Sequence, residues 1–148
     1  MLDVWSYVTP IDFTENIIVF LSNIYKHPCF DLDGLLTSLT EEDIEAFKAG
    51  DHTALLKRPP VLTIPEYVTN AIILSHWTYP DELIFKYAYV KEYFPNATFI
   101  PLPHTMSKAA FASLPNTILI DDYKKNVDEW RAAGGTALCV QHQKVINY

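Results

Sequence analysis

Thr117-Ile118-Leu119-Ile120-Asp121-Asp122-Tyr123-Lys124-Lys125-Asn126 decides the fold of this chain. Thr117 to Ile120 is an apolar, largely β-branched run too short for a helix, so it reads as a buried strand. The strand stops on two adjacent carboxylates. In open α/β sheets the edge just past the carboxyl ends of the strands is where ligands bind. Neighbouring carboxylates repel and are tolerated when a cation or a shared proton intervenes. Behind them Tyr123, Val127 and Trp130 fall one helical face apart, and Gly134-Gly135 supplies a stop. A plainer reading has Asp121 and Asp122 only capping the amino terminus of that helix, so other residues must decide.

The same pattern recurs upstream. Ile17, Ile18, Leu21, Ile24 and Tyr25 have helical spacing from Glu15 to Lys26, with Thr14 as the cap. Residues 1 to 14, with Trp5, Tyr7, Pro10 and Phe13, show no period and are expected to form an irregular or short-strand arm. After Pro28, Cys29-Phe30 leads into Asp31-Leu32-Asp33-Gly34-Leu35, a second short strand ending on acids. Thr40 with Glu41-Glu42-Asp43 predicts a capped helix that stops near Gly50. Thr63-Ile64-Pro65-Glu66 predicts a short helix reaching Asn70.

Ala71 to Leu74 reads as a strand ending at Ser75, and Pro80-Asp81-Glu82 opens a helix with Leu83, Ile84, Tyr87, Val90 and Phe94 on its apolar face. Ala97 to Ile100 and Ala137 to Val140 are further strands, and Thr105 to Ser113 predicts a short helix carrying Lys108. Strands alternating with helices imply an α/β fold, with a parallel sheet and helices on both faces.

At 148 residues, 49% hydrophobic and 20% charged, the chain fits one globular domain. No apolar run approaches a membrane span and no basic-then-apolar leader opens the sequence, so a soluble cytoplasmic protein without a membrane partner is expected. A net charge of -7 with no basic stripe argues against nucleic acid as a partner. Cys29 and Cys139 lie in apolar surroundings and are expected to be buried thiols. His27, His52, His76, His104 and His142 show no metal-ligand spacing.

Parallel strands point one way, so Asp31, Asp33, Ser75, Asp121, Asp122 and Lys108 are expected to converge along one sheet edge. Phosphate-ester hydrolysis uses these groups: a carboxylate nucleophile, a carboxyl acid and base, a hydroxyl and an ammonium for phosphoryl oxygens, and acids for a divalent cation. Phe30-Asp31-Leu32-Asp33-Gly34-Leu35-Leu36, Ile72-Ile73-Leu74-Ser75, Lys108 and Leu119-Ile120-Asp121-Asp122-Tyr123 together resemble the four motifs of the haloacid dehalogenase (HAD) superfamily, and within it the 5'(3')-deoxyribonucleotidases. The resemblance spans residues 30 to 140. It implies a HAD-like Rossmannoid three-layer fold, with a parallel sheet of about five strands and a small cap insertion at about residues 36–60. An amino-terminal arm and helix over residues 1–27 would join the core of residues 28–148.

The resemblance further implies that Asp31 attacks phosphorus and that Asp33 serves as acid and base. Ser75 and Lys108 would hold the phosphoryl oxygens. Mg²⁺ would lie on Asp31, the Asp33 backbone carbonyl and Asp122, with Asp121 in support. The substrate would be a small nucleoside monophosphate, deoxyribonucleotide or ribonucleotide, with Phe47, Trp77 and Tyr79 placed to stack on its base, although each fits equally as a core or crossover residue. Pro28 and Lys26 require the first central strand to be short or irregular, because proline removes a ladder donor. The alternative from another class is a catalytically silent binding module of the same fold, which would self-associate or bind through the amino-terminal arm.

Overall fold

A computed structural model describes residues 11–146. A mixed seven-stranded sheet runs through it, built from β1 (Ile11–Asp12), β2 (His27–Phe30), β3 (Ile72–Trp77), β4 (Thr98–Pro103), β5 (Thr117–Asp121), β6 (Thr136–Gln141) and β7 (Lys144–Ile146). The order is β1-β7-β6-β5-β2-β3-β4. Pairings from β6 across to β4 are parallel, while β7 and β1 add antiparallel edges. The expected sheet of about five parallel strands is therefore extended by two antiparallel ones. The extension arises at His142-Gln143, a two-residue turn in which both residues take positive φ, 51° and 61°. Such turns favour Asn-Gly or Gly-Gly, and His-Gln carries no such signal.

Side-chain alternation along the strands builds two cores. Phe30, Ile73, Ile118, Ile120, Leu138 and Val140 pack on one face against Ile18 and Leu21 of α1 (Glu15–Ile24) and Tyr89 and Val90 of α3 (Pro80–Tyr93). Cys29, Ile72, Leu74, Leu119, Ala137 and Cys139 pack on the other against Val127 and Trp130 of α4 (Lys124–Ala132). The period of two places successive residues on opposite faces, so helices cover both. Both cysteines are buried and free.

Pro28 lies in the centre of the sheet, paired with Ile118. His27 donates its amide to Asn116 O and Asp31 donates to Ile120 O, so odd-numbered amides of β2 face β5. The missing donor of Pro28 faces β3, whose pairing with β2 starts only at Cys29. A four-residue strand tolerates the proline because its bare side has no partner at that level.

Three expectations need correction. Residues 63–70 form turns and no helix: the Thr63 hydroxyl donates to Glu15 at 2.7 Å instead of capping. Asn70 Nδ2 there donates to the Ser22 and Tyr25 carbonyls that end α1. Tyr123 stands exposed at the head of α4, not on its inner face. The buried residues of α3 are Glu82, Lys86, Tyr89 and Val90, while Ile84 and Tyr87 face solvent. Residues 1–10 of the expected arm lie outside the described residues, but Ile11–Asp12 does pair with β7 and Phe13 enters the core.

The insertion at 36–60 holds α2 (Glu41–Lys48) and a 3-10 turn at Ala54–Lys57. Thr40 and Asp43 form the expected capping box. Arg58 clamps Asp43 with two hydrogen bonds of 2.6 and 3.0 Å, and this fork holds the carboxyl down at about 2. Among the described residues no helix is long and apolar enough to cross a membrane.

Gly134, at φ 91°, ends α4, and a Cβ at Gly135 would overlap the buried Trp130 indole. Gly135→Ala is expected to destabilise the fold by about 1–3 kcal/mol through overpacking, read as a lower urea midpoint at unchanged slope.

Candidate active site

The strand order puts β2 between β5 and β3, so the chain departs from β2 in opposite directions and leaves a crevice at its carboxyl end. Asp31 is the first residue past β2, and Asp121 ends the adjacent β5. Lys108 reaches them from the 3-10 turn Lys108–Phe111 that precedes β5. Its Nζ lies 2.8 Å from Asp31 Oδ1 and 2.8 Å from Asp121 Oδ2, with the side chain 1% exposed. Burial would pull this ammonium toward neutrality, but Asp31 and Asp121 outweigh it and hold it charged.

Asp121 is satisfied on both oxygens. Oδ1 accepts from the Tyr123 amide at 2.9 Å, and Oδ2 accepts from Asn126 Nδ2 at 3.1 Å as well as from Lys108. It thus orders the start of α4 through the Tyr123 amide and the Asn126 side chain while also contacting Lys108. Burial and the nearby Asp31 charge push its carboxyl up, against Lys108.

Asp122 completes the cluster. Ligand oxygens of Asp31, Asp121 and Asp122 all lie within 4.8 Å of one another. Hard carboxylate oxygens at this spacing suit a divalent cation that prefers oxygen donors. The backbone confirms how tightly the cluster is drawn: Gly34 holds φ 88°, and a Cβ there would overlap Asp122 Oδ2. The turn carrying Asp33 and Gly34 therefore lies directly on Asp122, and the carboxylate donor set of Asp31, Asp121 and Asp122 could hold a hard divalent cation such as Mg²⁺.

The Asp33 carboxylate does not join the acid cluster. It turns to Lys86 of α3, 2.7 Å from Oδ2, while its Oδ1 is buried without a hydrogen-bond partner among the described residues. Ser75 is buried within β3 and accepts from Lys86 Nζ at 3.2 Å, its own proton left to donate. β3 continues two residues past Ser75, to Trp77.

Aromatic residues take a different arrangement from the one expected. Phe47 and Tyr79 come together, ring centroids 5.6 Å apart, but His52 lies with them and stacks on Tyr79 at 3.8 Å. His52 also pairs with Asp81 at 3.0 Å. Trp77 stays at the end of β3, paired with Pro103. A cavity of about 600 Å³ opens beside Asp122 between Gly34, Thr37, Val61, His142 and Gln143, and none of the three aromatics lines it.

Lys86 and His52 were not foreseen. Glu82 and Lys86 have the i, i+4 spacing of a surface ion pair, which conceals a buried one. Compared with protein-family models and with curated proteins, the chain matches none.

Burial, then the charge of Asp31 and a hydrogen bond to it, push the Asp122 carboxyl from its ordinary 3.8 to about 10. Without a cation the folded state thus keeps a proton that the unfolded chain releases, and this contribution to stability is lost as pH rises from about 4 through about 10. In chelator, wild-type protein is expected to lose urea resistance between pH 5 and 9, and Asp122→Asn to flatten that loss. Magnesium is expected to protect wild type at pH 9 but not the variant.

Proposed function

We propose that this chain is a Mg²⁺-dependent phosphomonoester hydrolase of HAD-like fold, closest in kind to a 5'-nucleotidase acting on ribonucleoside or deoxyribonucleoside monophosphates. The observation that carries this reading is the convergence of Asp31, Asp121 and Asp122 within 4.8 Å, bridged by a buried lysine, at the switch point of the sheet. The parallel order β6-β5-β2-β3-β4, with acids ending β2 and β5, supports the fold part.

A bound Mg²⁺ would screen the acids and draw charge from the phosphoryl oxygens. Asp31 forms a bond to phosphorus as the ester P–O bond breaks, and Asp33 gives its proton to the departing oxygen. Water then attacks phosphorus, Asp33 takes its proton, and inorganic phosphate leaves with Asp31 restored. Ser75 donates to a phosphoryl oxygen. Lys108 orients Asp31 by holding its Oδ1 at 2.8 Å. A cavity opens beside Asp122, lined by Gly34, Thr37 and His142.

Phosphate release from a panel of nucleoside monophosphates, with Mg²⁺ and with chelator, tests the reading. Turnover is expected only with the cation. Asp31→Asn should reduce it to background, and Ser75→Ala should lower kcat by about 10²–10³, the worth of one aligned donor. An Asp31→Asn protein that hydrolyses these esters at the normal rate would sink the assignment.

A further inference from the structure

α3 is turned against its own hydrophobicity. Ile84 and Tyr87 are 69% and 56% exposed, while Glu82 and Lys86 are 6% and 1% exposed. The same buried face carries Tyr89 and Val90, so the ion pair sits beside core residues, where buried ion pairs seldom add to stability. The contacts of Lys86 point to another use for the pair.

Lys86 Nζ has four acceptors within reach: His76 O at 2.6 Å, Asp33 Oδ2 at 2.7 Å, Glu82 Oε2 at 3.1 Å and Ser75 Oγ at 3.2 Å. An ammonium has three protons, so one acceptor shares. Glu82 is itself anchored, accepting from the Thr78 amide at 2.7 Å. A rigid chain thus runs from the start of α3 through Glu82 and Lys86 to Asp33 and Ser75.

We propose that Lys86 is a positioning residue, clamping Asp33 by one oxygen and tying it to Ser75 so that proton donor and phosphate-binding hydroxyl keep one spacing. This rests on the phosphohydrolase reading. Asp33 Oδ1, buried and without a partner among the described residues, is the oxygen the clamp leaves unengaged. Lys86 acts through Asp33, not on the phosphorus.

A residue that places a proton donor matters in proportion to how much the leaving group needs a proton. The test compares kcat/KM, which reports transfer of the phosphoryl group to Asp31, for a simple alkyl phosphate and for 2,4-dinitrophenyl phosphate. Lys86→Met is expected to cost about 100-fold or more on the alkyl ester and under about 5-fold on the dinitrophenyl ester, matching the discrimination of Asp33→Asn. The double variant Glu82→Gln/Lys86→Met, which leaves no lone buried charge at this helix pair, should show the same ratio if Lys86→Met fails to fold. Equal losses on both esters would overturn the role of Lys86 alone. A wild-type protein that hydrolyses neither ester with Mg²⁺ would overturn the phosphohydrolase reading and this role together.

Discussion

Buried charge is the constraint on which the rest of the structure depends. Four carboxylates, from Asp31, Asp33, Glu82 and Asp121, share two buried ammonium groups, Lys86 and Lys108, and Asp122 lies close to Asp31 and Asp121. Removing charges from water is costly unless each is paired and hydrogen-bonded. Lys108 answers for the junction of β2 and β5, and Lys86 for the junction of β3 and α3. Each ammonium faces two carboxylates, and Asp122 lies beside Asp31 and Asp121 as a third acid at the first junction.

The sheet makes this concentration of charge affordable by holding it at one edge. Two apolar cores on opposite faces supply the burial, and the strands deliver their ends to a common crevice. Gly34 then sets the approach of the Asp33 turn to Asp122, since any side chain there would collide with the carboxylate. Asp121 connects the crevice to α4 through Tyr123 and Asn126, so a single carboxylate orders a helix and completes the acid cluster.

Much of this was legible because it is local. The run from Thr117 to Asp122, the capping box at Thr40 and the stop at Gly134 each rest on residues close in sequence, where periodicity and cap chemistry speak directly. The hairpin at His142-Gln143 was not, because its left-handed residues carry none of the usual turn chemistry. The expected helix at Thr63 failed because Thr63 and Asn70 found partners on α1, far along the chain. The expected inner face of α3 holds in part: Val90 and Phe94 are buried, but Ile84 and Tyr87 face solvent while Glu82 and Lys86, paired with Asp33, take inner positions.

The sequence by itself determined an alternating α/β chain and two strands that lead into acids. It did so because strand length, helical period and caps are short-range properties of neighbouring residues. Only the tertiary structure decided which acids share a site. Asp31 and Asp121 are ninety residues apart and meet through Lys108, while Asp33, two residues from Asp31, turns away to Lys86. Such pairings are set by electrostatics across the packed sheet, where a buried charge takes the nearest opposite charge regardless of its distance along the chain.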